Sequence, residues 1–421
     1  VNFIAPGAEE LSYLRADPLL WEQELDVRPD VAEAIERATG VRAGRVYWRS
    51  AHDHLYALEL ADLGRGRPSM ATVYGFWDRY EPRPPEHEID GDLLDLSLWV
   101  GEISGSIKPA DVAQVARFAL GSERPTWPDG SVLRMPEERF AALPDFPYEP
   151  RYVEVEGLRI AYVEAGAGDP ILCLHGEPTW GYLYRRMIPT LAERGHVIVP
   201  DLVGFGRSDK PALPNAYSYR SHTRWLRQFV EALDLQRVTL VCQDWGGLIG
   251  LRLLAQMPER FARLVAMNTG IPDGSPPGDT FLRWRRTSQR LRALDVPALI
   301  GQTVRRALSD AELAAYAAPF PDPSYQTGAL VFPRLVPTRP DHPGAYDNRQ
   351  AIAVLKSLDL PVLLPWADGD LVTGGWEPSV RAIFRNVAPP LTIHDAGHFI
   401  QEDKGEEVAA AIVGWLVGGA S

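Results

Sequence analysis

The stretch from Val238 to Met257 constrains this chain more than any other. Val238-Thr239-Leu240-Val241-Cys242 is rich in β-branched residues and leucine, which reads as a buried strand. Gln243-Asp244-Trp245-Gly246-Gly247 follows as a small-residue turn, and Leu248–Met257 as a helix. A strand, a sharp turn and a helix, with one reactive side chain at the apex, is the layout usually written Gly-x-Ser-x-Gly. The apex here is Asp244. Gly246 stands two places after it, while Cys242 occupies the place of the first glycine.

A serine at such a turn must lose its proton before it attacks, whereas a carboxylate, with a reference pKa of about 3.9, is already anionic at neutral pH. It suits displacement of a leaving group at saturated carbon, which leaves an alkyl ester on the protein. Alone, Asp244 reads equally well as a cap for the helix that follows.

The C-terminal part supplies what ester hydrolysis needs, a base for water and an acid to orient that base. Leu391-Thr392-Ile393-His394-Asp395-Ala396-Gly397-His398-Phe399 reads as a last strand and a loop carrying His398. Leu363-Leu364-Pro365-Trp366-Ala367-Asp368-Gly369-Asp370 reads as a strand ending in a loop with two aspartates. His394 falls within the strand run, so His398 is the expected base, and Asp368 and Asp370 both stand as its acid. The order along the chain is nucleophile, acid, base, the α/β-hydrolase order. Backbone N–H groups of Trp245 and Glu177 are the expected oxyanion donors. Gly204-Phe205-Gly206-Arg207-Ser208-Asp209 lacks both a Lys-Ser/Thr ending and dinucleotide spacing, so it reads as a tight turn rather than a phosphate loop.

From Arg151 onward strands alternate with helices, which predicts a mostly parallel sheet covered by helices on both faces. Tyr152–Val155 and Leu158–Glu164 read as a hairpin around Glu156-Gly157, with further strands at Pro170–Leu174, His196–Val199, Leu264–Met267, Val362–Trp366 and Leu391–His394. Helices are expected near Tyr184–Glu193 and at Ser218–Leu233. Between 270 and 350 the strands stop. Helical pieces at Phe281–Leu294, Ala298–Leu308 and Asp310–Tyr316, with proline-rich turns, predict a helical cap over the C-terminal edge of the sheet. The hydrolase core is thus expected in two parts, 131–269 and 351–421.

The 421 residues leave room for a second unit. Residues 1–130 read as a small α+β domain, with helices at Pro29–Thr39 and Pro109–Leu120 and strands at Arg45–Trp48, Leu55–Leu60, Ala71–Trp77 and Leu94–Val100. His52, His54 and His87-Glu88 carry no metal spacing beyond chance. A net charge of −13 argues against a nucleic-acid partner. No apolar run reaches membrane-spanning length, the N-terminus lacks a basic-then-apolar leader, and Cys173 and Cys242 lie in strand-like runs. A cytoplasmic protein with reduced, buried thiols is expected, with no membrane partner.

Four motifs together carry a resemblance. His175-Gly176-Glu177-Pro178-Thr179-Trp180, Gly204 through Pro211, Gln243 through Gly247, and Ala396-Gly397-His398-Phe399-Ile400-Gln401-Glu402 closely resemble the haloalkane dehalogenases. The likeness runs from about Glu137 to the C-terminus. It leaves out the first 130 residues, which that family ordinarily lacks and which stand as a candidate for self-association, the oligomeric state being open. The resemblance implies an α/β-hydrolase fold with a helical cap, and hydrolysis of small haloalkanes to alcohol and halide with water and no cofactor or metal. It implies Asp244 as nucleophile, His398 as base and Asp370 as acid, with Asp368 as the alternative, since Asn268 fills the place where one branch of the family carries its acid. It implies the indole N–H groups of Trp245 and, on the cap, Trp284 as halide donors. An epoxide hydrolase of the same fold is the alternative; it needs acidic O–H donors, for which Tyr316, Tyr325 and Tyr346 are available.

Overall fold

The computed structural model describes residues 132–418, apart from 213–215, 276, 289–290, 339 and 341–342, together with five strand segments before residue 75. The chain divides into two compact units, Val1–Thr126 and Trp127–Ser421. In the first unit β1 (Phe3–Ile4), β2 (Gln23–Asp26), β3 (Arg42–Arg49), β4 (Leu55–Ala61) and β5 (Ser69–Tyr74) pair antiparallel in the order β1-β5-β4-β3-β2. The strands expected near 45, 55 and 71 are there. The helices expected at 29–39 and 109–120, the strand at 94–100 and the histidines at 52, 54 and 87 lie outside the described residues.

The second unit opens with β6 (Val132–Leu133), β7 (Arg151–Val155), β8 (Leu158–Ala165) and β9 (Pro170–Leu174). The hairpin between β7 and β8 turns at Glu156 and Gly157, both at positive φ, the requirement of a two-residue turn that matches strand twist. Next come α1 (Ile188–Ala192), β10 (His196–Pro200), β11 (Lys210–Pro211), α2 (Tyr219–Ala232), β12 (Val238–Gln243), α3 (Asp244–Gln256) and β13 (Phe261–Met267). Ser218 caps α2 by accepting from Ser221 N–H at 2.9 Å, and Trp225 and Phe229 bury its apolar stripe. Five of the seven sheet strands run parallel, in the order β14-β13-β12-β9-β10-β8-β7; β8 then pairs antiparallel with β10, and β7 antiparallel with β8, closing the sheet on one side. Every residue of β12 is buried, as a strand flanked on both sides requires, so it reads as a continuous apolar run without alternation.

Between β13 and β14 (Val362–Leu363) the elements among the described residues are helical, among them α4 (Asp279–Ser288), α5 (Val296–Thr303), α6 (Asp310–Ala317), α7 (Thr327–Leu335) and α8 (Pro343–Leu355). The last two were not expected from the sequence. Pro333 inside α7 and Pro343 at the start of α8 make that region read as turns; yet proline at a helix start leaves no intrahelical hydrogen bond unmade. The single strand expected at Val362–Trp366 is two, β14 and β15 (Pro365–Ala367), separated at Leu364 and belonging to different sheets. β15 pairs in parallel with β16 (Leu391–Ile393), and α9 (Glu377–Arg381) lies between them in the chain. α10 (Ile400–Gly418) closes the unit. No described helix is long and apolar enough to cross a membrane.

Candidate active site

Asp244 is the first residue of α3 and has φ +48°, a left-handed conformation that a non-glycine residue adopts at a cost of about 1–3 kcal/mol. The turn is held open for it by its neighbours. A Cβ on Gly176 would lie 2.4 Å from the Asp244 Cβ and Oδ1, and one on Gly246 would lie 2.2 Å from the Leu174 carbonyl oxygen. Cys242, at the first glycine's place, has its side chain buried in the sheet, where its thiol lies 3.6 Å from the Val265 carbonyl oxygen; the departure from the pattern leaves the turn intact. Thr269 donates its hydroxyl to the Asp244 carbonyl at 2.7 Å, and Asp244 N–H donates to the Asn268 carbonyl at 3.2 Å. The Glu177 N–H donates to Asp244 Oδ1 at 2.8 Å. Trp245, in the first helical turn of α3, has an N–H with no carbonyl four residues behind it in the helix to accept it.

His398 reaches the other carboxylate oxygen, with Nε2 3.4 Å from Asp244 Oδ2. Its Nδ1 lies 3.0 Å from Asp370 Oδ1. Asp370 is also bound by the N–H groups of Val372 (2.8 Å) and Thr373 (3.2 Å) and by the Thr373 hydroxyl. Burial alone would raise the Asp370 carboxyl, but the His398 charge and these donors outweigh it and hold it near 2. Burial likewise acts to lower His398, and the two carboxylates on either side override it, holding the imidazole well above its ordinary range. The structure therefore brings Asp244, His398 and Asp370 together. Asp368 is elsewhere: its Oδ2 meets His394 Nδ1 at 3.0 Å on the surface, and His394 lies just past the end of β16.

The loop that carries His398 is pinned by residues whose part the sequence did not reveal. Asn268, buried and at φ +40°, donates to the Gly397 and His398 carbonyls at 3.1 and 2.9 Å and accepts from Ala367 N–H at 3.0 Å. One amide thus ties the end of β13 to the loops of both His398 and Asp370. Asp403 accepts from Gly397 N–H at 2.7 Å and from the Arg305 and Arg306 N–H groups at 2.8 and 2.9 Å, while Thr303 accepts from His398 N–H at 3.0 Å. Gln243, just before Asp244, donates to the His398 carbonyl at 3.1 Å.

The Trp245 ring is almost wholly buried, stacked on Phe332 of α7 at 4.4 Å and edge-on to Tyr219 at 5.4 Å. The helical segment thus packs directly against the residue after the apex. Trp284 is on α4, half-buried against the core; among the described residues it forms no ring contact with Trp245. Tyr316 is fully buried and donates its hydroxyl to Glu402 Oε2 at 2.5 Å, within an ionic cluster where Arg185 meets Glu402 at 2.6 Å and Glu312 at 2.8 Å. Tyr325 lies in the short turn Pro323–Gln326; the Tyr346 side chain is outside the described residues. His175 is neutral, since burial pushes it down to about 4; its Nε2 accepts from Leu202 N–H at 2.9 Å and its Nδ1 lies against the Gly176 carbonyl at 2.9 Å. Cys173 and Cys242 are buried free thiols, pushed up by burial. Among the described residues no group of three or more His, Cys, Asp or Glu is set to hold a metal ion.

A family model for the alpha/beta hydrolase fold matches residues 169–405. A haloalkane dehalogenase of Psychrobacter cryohalolentis is 45% identical over 296 residues, 68% of this chain and 98% of that protein. Haloalkane dehalogenase 1 of Mycobacterium tuberculosis is 44% identical over the same shares. Among solved structures, the tetrameric haloalkane dehalogenase of Paraglaciecola agarilytica is 39% identical, with a TM-score of 0.64, covering 66% of this chain and 97% of that one.

Proposed function

The chain belongs to the haloalkane dehalogenases of the alpha/beta hydrolase fold, and from that membership we propose how its residues cleave a carbon–halogen bond. The enzyme hydrolyses halogenated small molecules with water. We propose that the Asp244 carboxylate attacks the halogen-bearing carbon in line, forming an alkyl ester as the halide departs. The observation that carries this reading is the Asp244 carboxylate held between the Glu177 N–H and His398, with Asp370 behind the imidazole. Halide leaves as an anion, and the indole N–H groups of Trp245 and Trp284 are uncharged donors that stabilise it without drawing Asp244 away.

Ester formation also resets the base. Asp244 loses its charge, and with it go the hydrogen bond and the attraction that help hold the proton on His398. Only Asp370 then opposes the effect of burial, so the imidazole pKa falls and the neutral form, able to take a proton from water, is produced by the first step itself. Water attacks the ester carbonyl carbon, and the Glu177 and Trp245 N–H groups stabilise the oxyanion.

The epoxide reading is weaker. It needs a hydroxyl free to protonate an alkoxide, and the Tyr316 hydroxyl is engaged by the Glu402 carboxylate. We read residues 270–350 as the cap and residues 1–130 as a separate domain, a candidate for self-association. Halide release from 1-bromobutane and 1,2-dibromoethane is the test of function. No release across a broad haloalkane panel, or diol from styrene oxide without halide release, overturns it.

A further inference from the structure

The loop that carries His398 is gripped through both kinds of backbone group. Asn268 binds the carbonyls of Gly397 and His398 at 3.1 and 2.9 Å. The N–H groups of the same two residues go elsewhere, to the helical segment read as the cap and to α10. The Thr303 carbonyl, at the end of α5, accepts from His398 N–H at 3.0 Å. A Cβ on Gly397 would stand 2.3 Å from that same oxygen, so the two backbones are in direct contact. Asp403, in the first turn of α10, joins them: one carboxylate oxygen accepts from Gly397 N–H at 2.7 Å, and the other from Arg305 and Arg306 N–H at 2.8 and 2.9 Å. Arg305 also donates to the Gly369 carbonyl at 3.4 Å, one residue before Asp370.

The stretch Thr303–Arg306 is itself anchored. Glu402, fully buried beside Asp403, accepts from Arg306 Nε at 2.9 Å and from Arg185 at 2.6 and 2.8 Å. Arg185 also reaches Glu312 of α6 at 2.8 Å. Two arginines and two glutamates leave no unbalanced charge among them, which is what makes such burial tolerable. The cluster therefore fixes the cap stretch to the core, and Asp403 passes that fixed position on to the catalytic loop.

We infer that Asp403 is a positioning residue for the base, and that the cap stretch Thr303–Arg306 serves the hydrolysis of the ester through it. The inference rests on the alkyl-ester reading. In that reading the two steps make different demands. Attack by the Asp244 carboxylate draws on the elbow and on the halide donors, and the imidazole takes no part in it. Hydrolysis needs His398 Nε2 within reach of a water that is at the same time aimed at the Asp244 carbon. Without Asp403, Gly397 N–H and two cap N–H groups lose their acceptor, and the His398 loop keeps only Asn268, Gln243 and the Thr303 carbonyl, the last on a stretch no longer tied to α10 by its own N–H groups. Were Asp403 only a fastening for the cap, its loss would loosen the whole site and slow both steps together.

Single-turnover quench of the full chain with 1-bromobutane, following the Asp244 ester by mass, separates the steps. Asp403→Ala is expected to form ester within about twofold of the wild-type rate and to hydrolyse it about tenfold more slowly, a part of the ~10²–10⁴ that a positioned base contributes. Asp403→Asn keeps the shape and one acceptor oxygen, so it holds the loop or the cap but not both, and is expected to hydrolyse the ester at a rate between those of wild type and Asp403→Ala. Normal ester formation certifies the fold of either variant; if Asp403→Ala does not fold, slowed decay with normal formation in Asp403→Asn is the expected result. Unchanged ester decay in the folded variant overturns the inference, and so does ester formation slowed as much as decay. Absence of ester in a His398→Phe protein would instead sink the underlying reading, so the two failures are distinct.

Discussion

Two aspartate–histidine pairs stand side by side where β15 and β16 end, and both are 3.0 Å long. Asp368–His394 lies in solvent, with side-chain exposures of 41% and 81%; Asp370–His398 is shut away, at 0% and 6%. In the exposed pair Asp368 also accepts from Asp395 N–H at 3.0 Å. The buried pair continues on one side to Asp244 and on the other to three donors from Val372 and Thr373. Distance therefore does not distinguish a working pair from a surface one. Burial does, because it removes the water that would screen the charges, and so does the third partner that gives the imidazole something to act upon.

The sharpest way to break this contrast is to remove the third partner. Asp244→Ala is expected to lose halide release entirely, with the fold retained by circular dichroism. Next, Asp370→Asn is expected to slow turnover by about 100-fold or more, while Asp368→Asn leaves it within about twofold. Equal effects of the two substitutions on steady-state rate would erase the distinction drawn here. Asn268→Ala, which leaves one N–H and two carbonyls of the catalytic loops without their clamp, is expected to cost about 3 kcal/mol in denaturant unfolding. The smallest effect is in pH. Asp370 is depressed from 3.8 to about 2, so its contribution to stability is complete above 3.8 and is lost as pH falls toward 2. His398 is raised from 6.5, so its contribution is complete below 6.5 and is lost as pH rises through its higher folded value. Asp370→Asn should remove the acid part of that profile relative to wild type, and an unchanged slope of stability between pH 2 and 4 would contradict it.

How far the sequence revealed the site follows the same line. The elbow was legible because strand, turn and helix are contiguous, and Asp244 announces itself by standing where a small or hydroxyl residue is usual. The order Asp244, Asp370, His398 was legible because each residue follows a strand. The choice between two aspartates two positions apart was open in the pattern, since both lie in one loop and only packing decides which faces inward. In the sequence Asn268 shows only as the absence of an acid, although its amide binds three backbone groups from two distant segments. Such a clamp is a tertiary fact with no periodicity to betray it. Asp403 is hidden for the same reason: its partners at 305, 306 and 397 come from separate segments. In the helical segment, Pro333 and Pro343 masked α7 and α8, yet α7 supplies Phe332, the ring on which Trp245 stacks.

The central claim is that Asp244 carries the alkyl group between two separable steps. Intact mass and peptide mapping of the His398→Phe protein after exposure to 1-bromobutane tests it most directly. The account predicts one butyl group on Asp244, persisting because no base remains to activate water. An unmodified Asp244 in a protein that still releases halide would contradict it.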